Sequence, residues 1–223
     1  MIPCPHPERR LESRIPDSRI PAFHGWRMVW ALAVSTTVAY GVLYYSFAVF
    51  VQPMEREQGW NRAQTSLAFS LAMLVAGLVA PALGRVLDRH GSREVMSLGA
   101  LASSGLLMIW AQSSSLPWLY ATWVGLGVCA SATFYDPAFT AVAVWFRRHR
   151  ARAMLTITLV AGLASTIFVP LDTWLLARLG WRDAVRVLAG LMLLTAPLLW
   201  FTLRHHPSDL GQFVDGLEGD SGT

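Results

Sequence analysis

Six apolar runs separated by short polar segments organise this chain: residues 26–51, 65–83, 95–111, 116–144, 153–176 and 184–203. A helix needs about 20 apolar residues to cross a bilayer, and the runs cluster around that length. A buried helix of a soluble domain explains one such run, but not six in succession. With no water in the bilayer core, helices satisfy their own backbone groups, so the pattern predicts an all-α integral membrane fold of six transmembrane helices. The third run is short and the fourth is long, which leaves their boundaries soft. Before the runs lies a segment rich in Pro and Arg, residues 1–25, without the short apolar core of a secretory signal. It reads as a disordered cytoplasmic tail or as the product of a start codon placed too early. After them, residues 205–223 hold Pro207, four glycines and four acids, a polar and flexible composition. The bundle itself is expected over residues 26–204.

Composition sharpens this picture. The chain is 54% hydrophobic and 14% charged, against roughly 25% charged in soluble domains. Its net charge of +4 comes with arginine as the sole long-chain base. A basic protein suggests nucleic acid as a partner, but these arginines lie between apolar spans rather than on one polar face, so no nucleic acid is expected. Cys4 and Cys129 lie in the tail and in a span, and neither has metal-ligand spacing around it. No nucleophile–base pair, phosphate-binding glycine loop or metal cluster stands out, so neither enzyme activity nor a cofactor is expected.

The arginines set the orientation. With the amino terminus inside, Arg27 and the tail, Arg85, Arg89, Arg93, the four arginines of 147–152 and Arg204 are cytoplasmic. Arg56, Arg62, Arg178, Arg182 and Arg186 face outward, thirteen against five. Both termini are then cytoplasmic. Trp60 and Trp181, each after a glycine, and Trp26 and Trp145 are placed as headgroup-zone anchors.

Between the second and third runs, Gly84-Arg85-Val86-Leu87-Asp88-Arg89-His90-Gly91-Ser92-Arg93 forms a charged segment. Its two glycines suit a tight reversal with positive φ. Gly84, Asp88, Arg89, Gly91 and Arg93 resemble the loop signature between helices 2 and 3 of the major facilitator superfamily, G-x-x-x-D-R/K-x-G-R/K-R/K, with Ser92 where a base is more usual. Trp145-Phe146-Arg147-Arg148-His149-Arg150-Ala151-Arg152-Ala153, followed by Ala161-Gly162, resembles the segment entering helix 5 of monocarboxylate-transporter-like members. Tyr45-Ser46-Phe47-Ala48-Val49-Phe50 and Gly59-Trp60-Asn61-Arg62 are similar to bacterial members of that branch.

The resemblance implies half of a twelve-helix fold, the amino-terminal half, with 205–223 in the place of the central loop. It implies secondary transport by alternating access, with the substrate site near the midplane between two halves. The implied partners are the lipid bilayer, a small organic substrate, a proton, and a second six-helix half or a second copy. The expected location is the cell membrane, and the expected substrate a monocarboxylate or related organic anion. Efflux of small amphipathic molecules, or a non-transporting subunit or fragment, are the alternatives. In the family the 84–93 turn meets the opposite half at the cytoplasmic face and helps hold one access state, a gating role for Gly84, Asp88, Arg89, Gly91 and Arg93. A solvated loop that only sets topology is the plainer reading.

Three residues carry the substrate-site expectation. Tyr40 and Tyr44 are i,i+4 on helix 1, which lines the cavity in the family, and can offer hydroxyls to a carboxylate. Asp136 falls inside the fourth run, where an acid costs about 2.5–3.5 kcal/mol on insertion scales and points to function. It is either a proton carrier or, with Pro137 behind it, the N-cap of a restarted half-helix. Asp172, after Pro170, is expected at the exposed outward interface. Ser66, Ser70, Thr156 and Thr158 line the path or bond their own helix. Gly125, Gly127 and Ser131, and Ala161, Gly162 and Ser165, are expected to pack helices closely.

Overall fold

The computed structural model describes residues 24–204 and Val214. The tail 1–23, nearly all of 205–223, and with them Cys4, His205 and His206, lie outside the described residues. All regular structure among the described residues is helical, and four helical stretches are long and apolar enough to cross a membrane.

The first stretch is one rod of three parts: α1 (His24–Tyr40), a π-helical segment (Gly41–Tyr45) and α2 (Ser46–Gln58). It ends at Gly59, whose left-handed backbone (φ 69°) closes the last turn with an N–H bond to the Glu55 carbonyl. Two residues on, Asn61 starts α3 (Arg62–Trp110) with a reciprocal capping box: Asn61 Oδ1 accepts from the Gln64 N–H, and Gln64 Oε1 accepts from the Asn61 N–H.

At about 1.5 Å per residue, the 49 residues of α3 exceed twice the ~30 Å hydrocarbon thickness. The second and third apolar runs are both in it, and the backbone leaves helical geometry at Gly91 (φ 79°, ψ 164°). The reversal expected from two glycines therefore rests on one. Gly84 is helical and has no positive φ. The fourth run divides into α4 (Leu116–Thr133) and α5 (Tyr135–Trp145) at the extended residue Phe134 (ψ −154°). The fifth forms α6 (Arg150–Gly162) and α7 (Ala164–Leu179) on either side of Leu163, and the sixth forms α8 (Trp181–Thr202) after Gly180 (φ 77°).

Helix 1 lies at the centre. Of its most apolar 18-residue window 67% is buried, against 11% for α3, whose outer stripe of Leu67, Leu74 and Leu78 faces away from the bundle. Two apolar cores hold the two ends. One packs Phe47, Phe50, Trp110, Trp123 and Trp181, with Trp110 and Trp123 edge to face at 5.0 Å. The other packs Met28, Leu32, Met96, Trp145, Ile157 and Leu199. Trp145 and Trp181 thus turn into the protein interior, at 1% and 4% exposure, rather than outward as anchoring rings would. Each ring N–H is satisfied inside the protein, on the Arg204 carbonyl and on Glu57 respectively.

The small-residue expectation divides. Gly127 lets α4 approach the main chain of α3: a Cβ there would lie 2.3 Å from the Ala72 carbonyl oxygen. Gly125 meets Leu106, whereas a Cβ on Gly162 would meet nothing within 4 Å. The close approach at Gly162 is therefore not made among the described residues.

Candidate functional site

The π-helical segment sits near the middle of the 24–58 rod. Its i→i+5 bonding widens the helix by one residue per turn, a local feature that recurs at functional sites. The extra residue changes the phase of the helix, so Tyr40, Tyr44 and Tyr45 form a connected group at this level. Tyr40 and Tyr44 rings are 6.3 Å apart, and Tyr44 and Tyr45 meet edge to face at 5.3 Å.

The chain break at Phe134 supplies the other wall. Tyr40 stacks on Phe134 (4.1 Å, 11° between planes) and also touches Tyr135 (4.9 Å). Phe69 of α3 meets Tyr44 at 5.3 Å, and Phe139 stacks on Tyr135 at 5.3 Å. Tyr44 is 39% exposed, so the group is not sealed within the chain.

Asp136 is exposed in the first turn of α5, directly after Tyr135, whose ring touches Tyr40. The three substrate-site candidates Tyr40, Tyr44 and Asp136 are therefore brought to one place. The capping expectation for Asp136 is corrected. Phe134 holds the N-cap position and Asp136 makes no capping bond, because the helix starts two residues earlier than the Asp-Pro pair suggests. Its carboxylate still lies at the positive end of the α5 dipole, and Pro137 sits in the first turn, where its missing N–H costs nothing.

Asp172 is corrected more strongly. It is fully buried, on the α7 face that also carries Ala164, Phe168 and Leu175. Its Oδ2 lies 2.8 Å from Ser46 Oγ, immediately after the π-helical segment. Ser66 and Ser70 are exposed on α3, while Thr156 and Thr158 donate to the carbonyls of Arg152 and Met154 in their own helix.

The gating candidates lie around the Gly91 bend. Asp88 and Arg89 are exposed, Gly84 and Gly91 half-buried, and Arg93 turns onto α8, donating to the Trp200 carbonyl (2.8 Å) with its guanidinium 4.2 Å from the Trp200 ring. A cavity of about 220 Å³ is bordered by Asp88, Arg89, Gly91, Thr140, Val144 and Arg204, between the bend and α5.

Sequence reasoning did not single out Phe134, Tyr135, Phe69 or Arg182. Phe134 and Tyr135 directly precede the Asp-Pro pair, which was the available signal. Arg182 lies in an Arg-x-Gly-x-Arg pattern, Arg178–Gly180–Arg182, that repeats Arg89–Gly91–Arg93.

Long apolar helices around a central rod, with an aromatic and polar group at mid-span, define a multi-pass helical membrane protein. The chain belongs to the Major Facilitator Superfamily, whose family model matches residues 22–216. It is 26% identical over 188 residues to an uncharacterized MFS-type transporter of Bacillus subtilis, covering 81% of this chain and 46% of that protein. Human monocarboxylate transporter 12 is 31% identical over 174 residues (76% of this chain, 33% of the relative). Bovine monocarboxylate transporter 13 is 29% identical over 170 residues (76% and 39%). The chain thus spans half or less of the length of these relatives. The family is one of transporters, which points away from enzyme activity and toward a small-molecule substrate carried across a lipid bilayer.

Proposed function

We propose that this chain forms the amino-terminal, six-span half of a secondary transporter that moves small organic anions, monocarboxylates among them, by alternating access. Residues 62–110 supply two spans joined at Gly91, and both termini lie on the cytoplasmic side of the cell membrane. The observation that carries this reading is the convergence of Tyr40, Tyr44 and Tyr135 with Asp136 at mid-span, in a chain similar to monocarboxylate transporters. Phenol hydroxyls are neutral donors to a carboxylate. Asp136 is the acidic group beside them, and uptake of an anion together with a proton leaves the net charge of this site unchanged. Asp88, Arg89 and Arg93 at the Gly91 bend serve as the cytoplasmic gate against a second half, either six further spans or a second copy. The exposed stripe of Leu67, Leu74 and Leu78 is available to it or to lipid.

Uptake of labelled lactate or pyruvate into proteoliposomes, with and without an inward proton gradient, tests the proposal. Uptake by the chain with its second half, reduced when the gradient is dissipated, is expected. Gradient-independent uptake rejects proton coupling. The stacked Phe69, Phe134 and Phe139 favour a second reading, efflux of small amphipathic molecules, which drug export without lactate uptake would establish.

A further inference from the structure

The carboxyl of Asp172 is fully buried beside the π-helical segment, and a count of protons shows what state its surroundings accept. Ser46 Oγ lies 2.8 Å from Asp172 Oδ2 and 2.8 Å from the Gly41 carbonyl oxygen. A serine hydroxyl has one proton to donate, and a carbonyl has none. If Ser46 donates to Asp172, its contact with Gly41 has no proton in it. If it donates to Gly41, Asp172 must supply the proton of the other contact. The second carboxyl oxygen, Oδ1, is buried and has no hydrogen-bond partner among the described residues. A carboxylate there would leave half of its charge unsolvated, whereas a neutral acid leaves a weaker acceptor.

Among the described residues, no ion pair reaches Asp172, from Arg178 on its own helix, from Arg56 on α2 or from the groups that follow. The π-helical segment carries the phenol side chains of Tyr44 and Tyr45. On α2, Glu55 is tied to Arg62 and Thr65, and Glu57 to Trp181 and Arg182. On α8, Asp183 and Arg186 pair with each other. None of these groups bonds to Asp172.

We propose that Asp172 and Ser46 form a proton-binding site, in which the neutral Asp172 donates to Ser46 Oγ and Ser46 donates to the Gly41 carbonyl. The Gly41 carbonyl also accepts the Ser46 backbone N–H, so the chain of bonds ends on the i→i+5 bond that defines the π-helical segment. Phe168, one turn from Asp172, covers Gly41 so closely that a Cβ there would lie 2.2 Å from its ring. When the proton leaves, Ser46 turns its own proton toward the carboxylate and the Gly41 carbonyl loses its side-chain donor. The balance is one proton released and one hydrogen bond lost from the π-helical segment, which carries Tyr44 and Tyr45. Site occupancy is thereby read by the tyrosine group. Only the use of that link, coupling proton and substrate, rests on the transporter reading.

Infrared difference spectra of the full chain in lipid nanodiscs, recorded across a pH titration, test the site. A protonated-carboxyl C=O band is expected at neutral pH, lost in Asp172→Asn and shifted in Ser46→Ala, with tyrosine ring bands changing in step with its titration. Wild-type and Asp172→Asn spectra that superimpose in the carboxyl region, at every pH where circular dichroism shows the chain folded, overturn the site. A carboxyl band that titrates without a tyrosine response overturns the link. Asp172→Asn keeps the size and hydrogen-bonding ability of the neutral acid, so it is expected to fold. The measurement uses no substrate: absent transport leaves it standing, and an absent band leaves the transporter reading standing.

Discussion

Gly91 and Gly180 have almost the same backbone (φ 79°, ψ 164° and φ 77°, ψ 167°) and the same Arg-x-Gly-x-Arg surroundings, yet the two ends of the molecule use them differently. At Gly180 the following arginine closes the end on itself. Arg182 donates to Glu57 (2.9 Å), to the Ala111 carbonyl (2.7 Å) and to the Ser113 carbonyl (3.1 Å), with its guanidinium 4.5 Å from the Trp181 ring. One side chain thus joins the end of α2, the turn after α3 and the start of α8. At Gly91 the equivalent Arg93 reaches the end of α8, while Asp88 and Arg89 stay exposed beside a cavity. Inverted three-helix repeats are nested within each half of this family's fold, so like bends at opposite membrane faces are expected. The difference between them teaches where this chain completes its own contacts and where its charged groups stay exposed.

The largest break in this comparison is expected from Arg182→Ala. It removes charge-assisted bonds to two carbonyls and a carboxylate and should cost about 3 kcal/mol, read by reversible unfolding in mixed micelles. Arg182→Lys should recover only part of that, because an ammonium cannot span the same fork of acceptors. Next comes Gly180→Ala. Nothing lies within 4 Å of a Cβ there, so its cost, about 2 kcal/mol, is backbone strain in a region essentially restricted to glycine. Gly91→Ala should cost the same by that argument, and a much smaller loss would show that its bend is not held as Gly180's is. Asp136→Asn should lower stability by less than about 1 kcal/mol, the size of a helix-dipole interaction. If Asp136 carries the proton, the same variant loses proton-driven uptake; coupling that survives it would shift the proton role elsewhere. The smallest effect on folding belongs to Asp88→Asn, within about 0.5 kcal/mol because the side chain is exposed. Transport, in contrast, should fall sharply if the gating role proposed for Asp88 holds.

Much of the architecture was legible in the chain because lipid imposes a simple rule. The apolar runs lie in helical stretches, although the second and third share α3 and the fourth is interrupted at Phe134, and Asn61 with Gln64 caps α3 directly after Gly59 and Trp60. What was not legible depended on tertiary contact. The π-helical segment has Phe168 packed over Gly41 and Asp172 against Ser46, and no local pattern announces either. Asp172 read as an interface acid because Pro170 and the end of a span were nearby, whereas its burial follows from the face of α7 that meets helix 1. Trp145 and Trp181 sat at predicted boundaries, but depth along a helix says nothing about which way a ring turns. For the candidate site, Tyr40 and Tyr44 followed from spacing and resemblance. The second wall, Phe134 and Tyr135, required knowing that the chain breaks at Phe134 rather than at Asp136.

The central claim is that this chain is one half of an organic-anion transporter whose Gly91 end is completed by a second half. The most direct test is the initial rate of labelled lactate entry into proteoliposomes under an inward proton gradient, for the chain reconstituted together with the second half. The account predicts uptake that is saturable, lost when the gradient is dissipated and lost in Asp88→Asn. Lactate entry no faster than in empty liposomes, with both halves folded in the membrane, would contradict it.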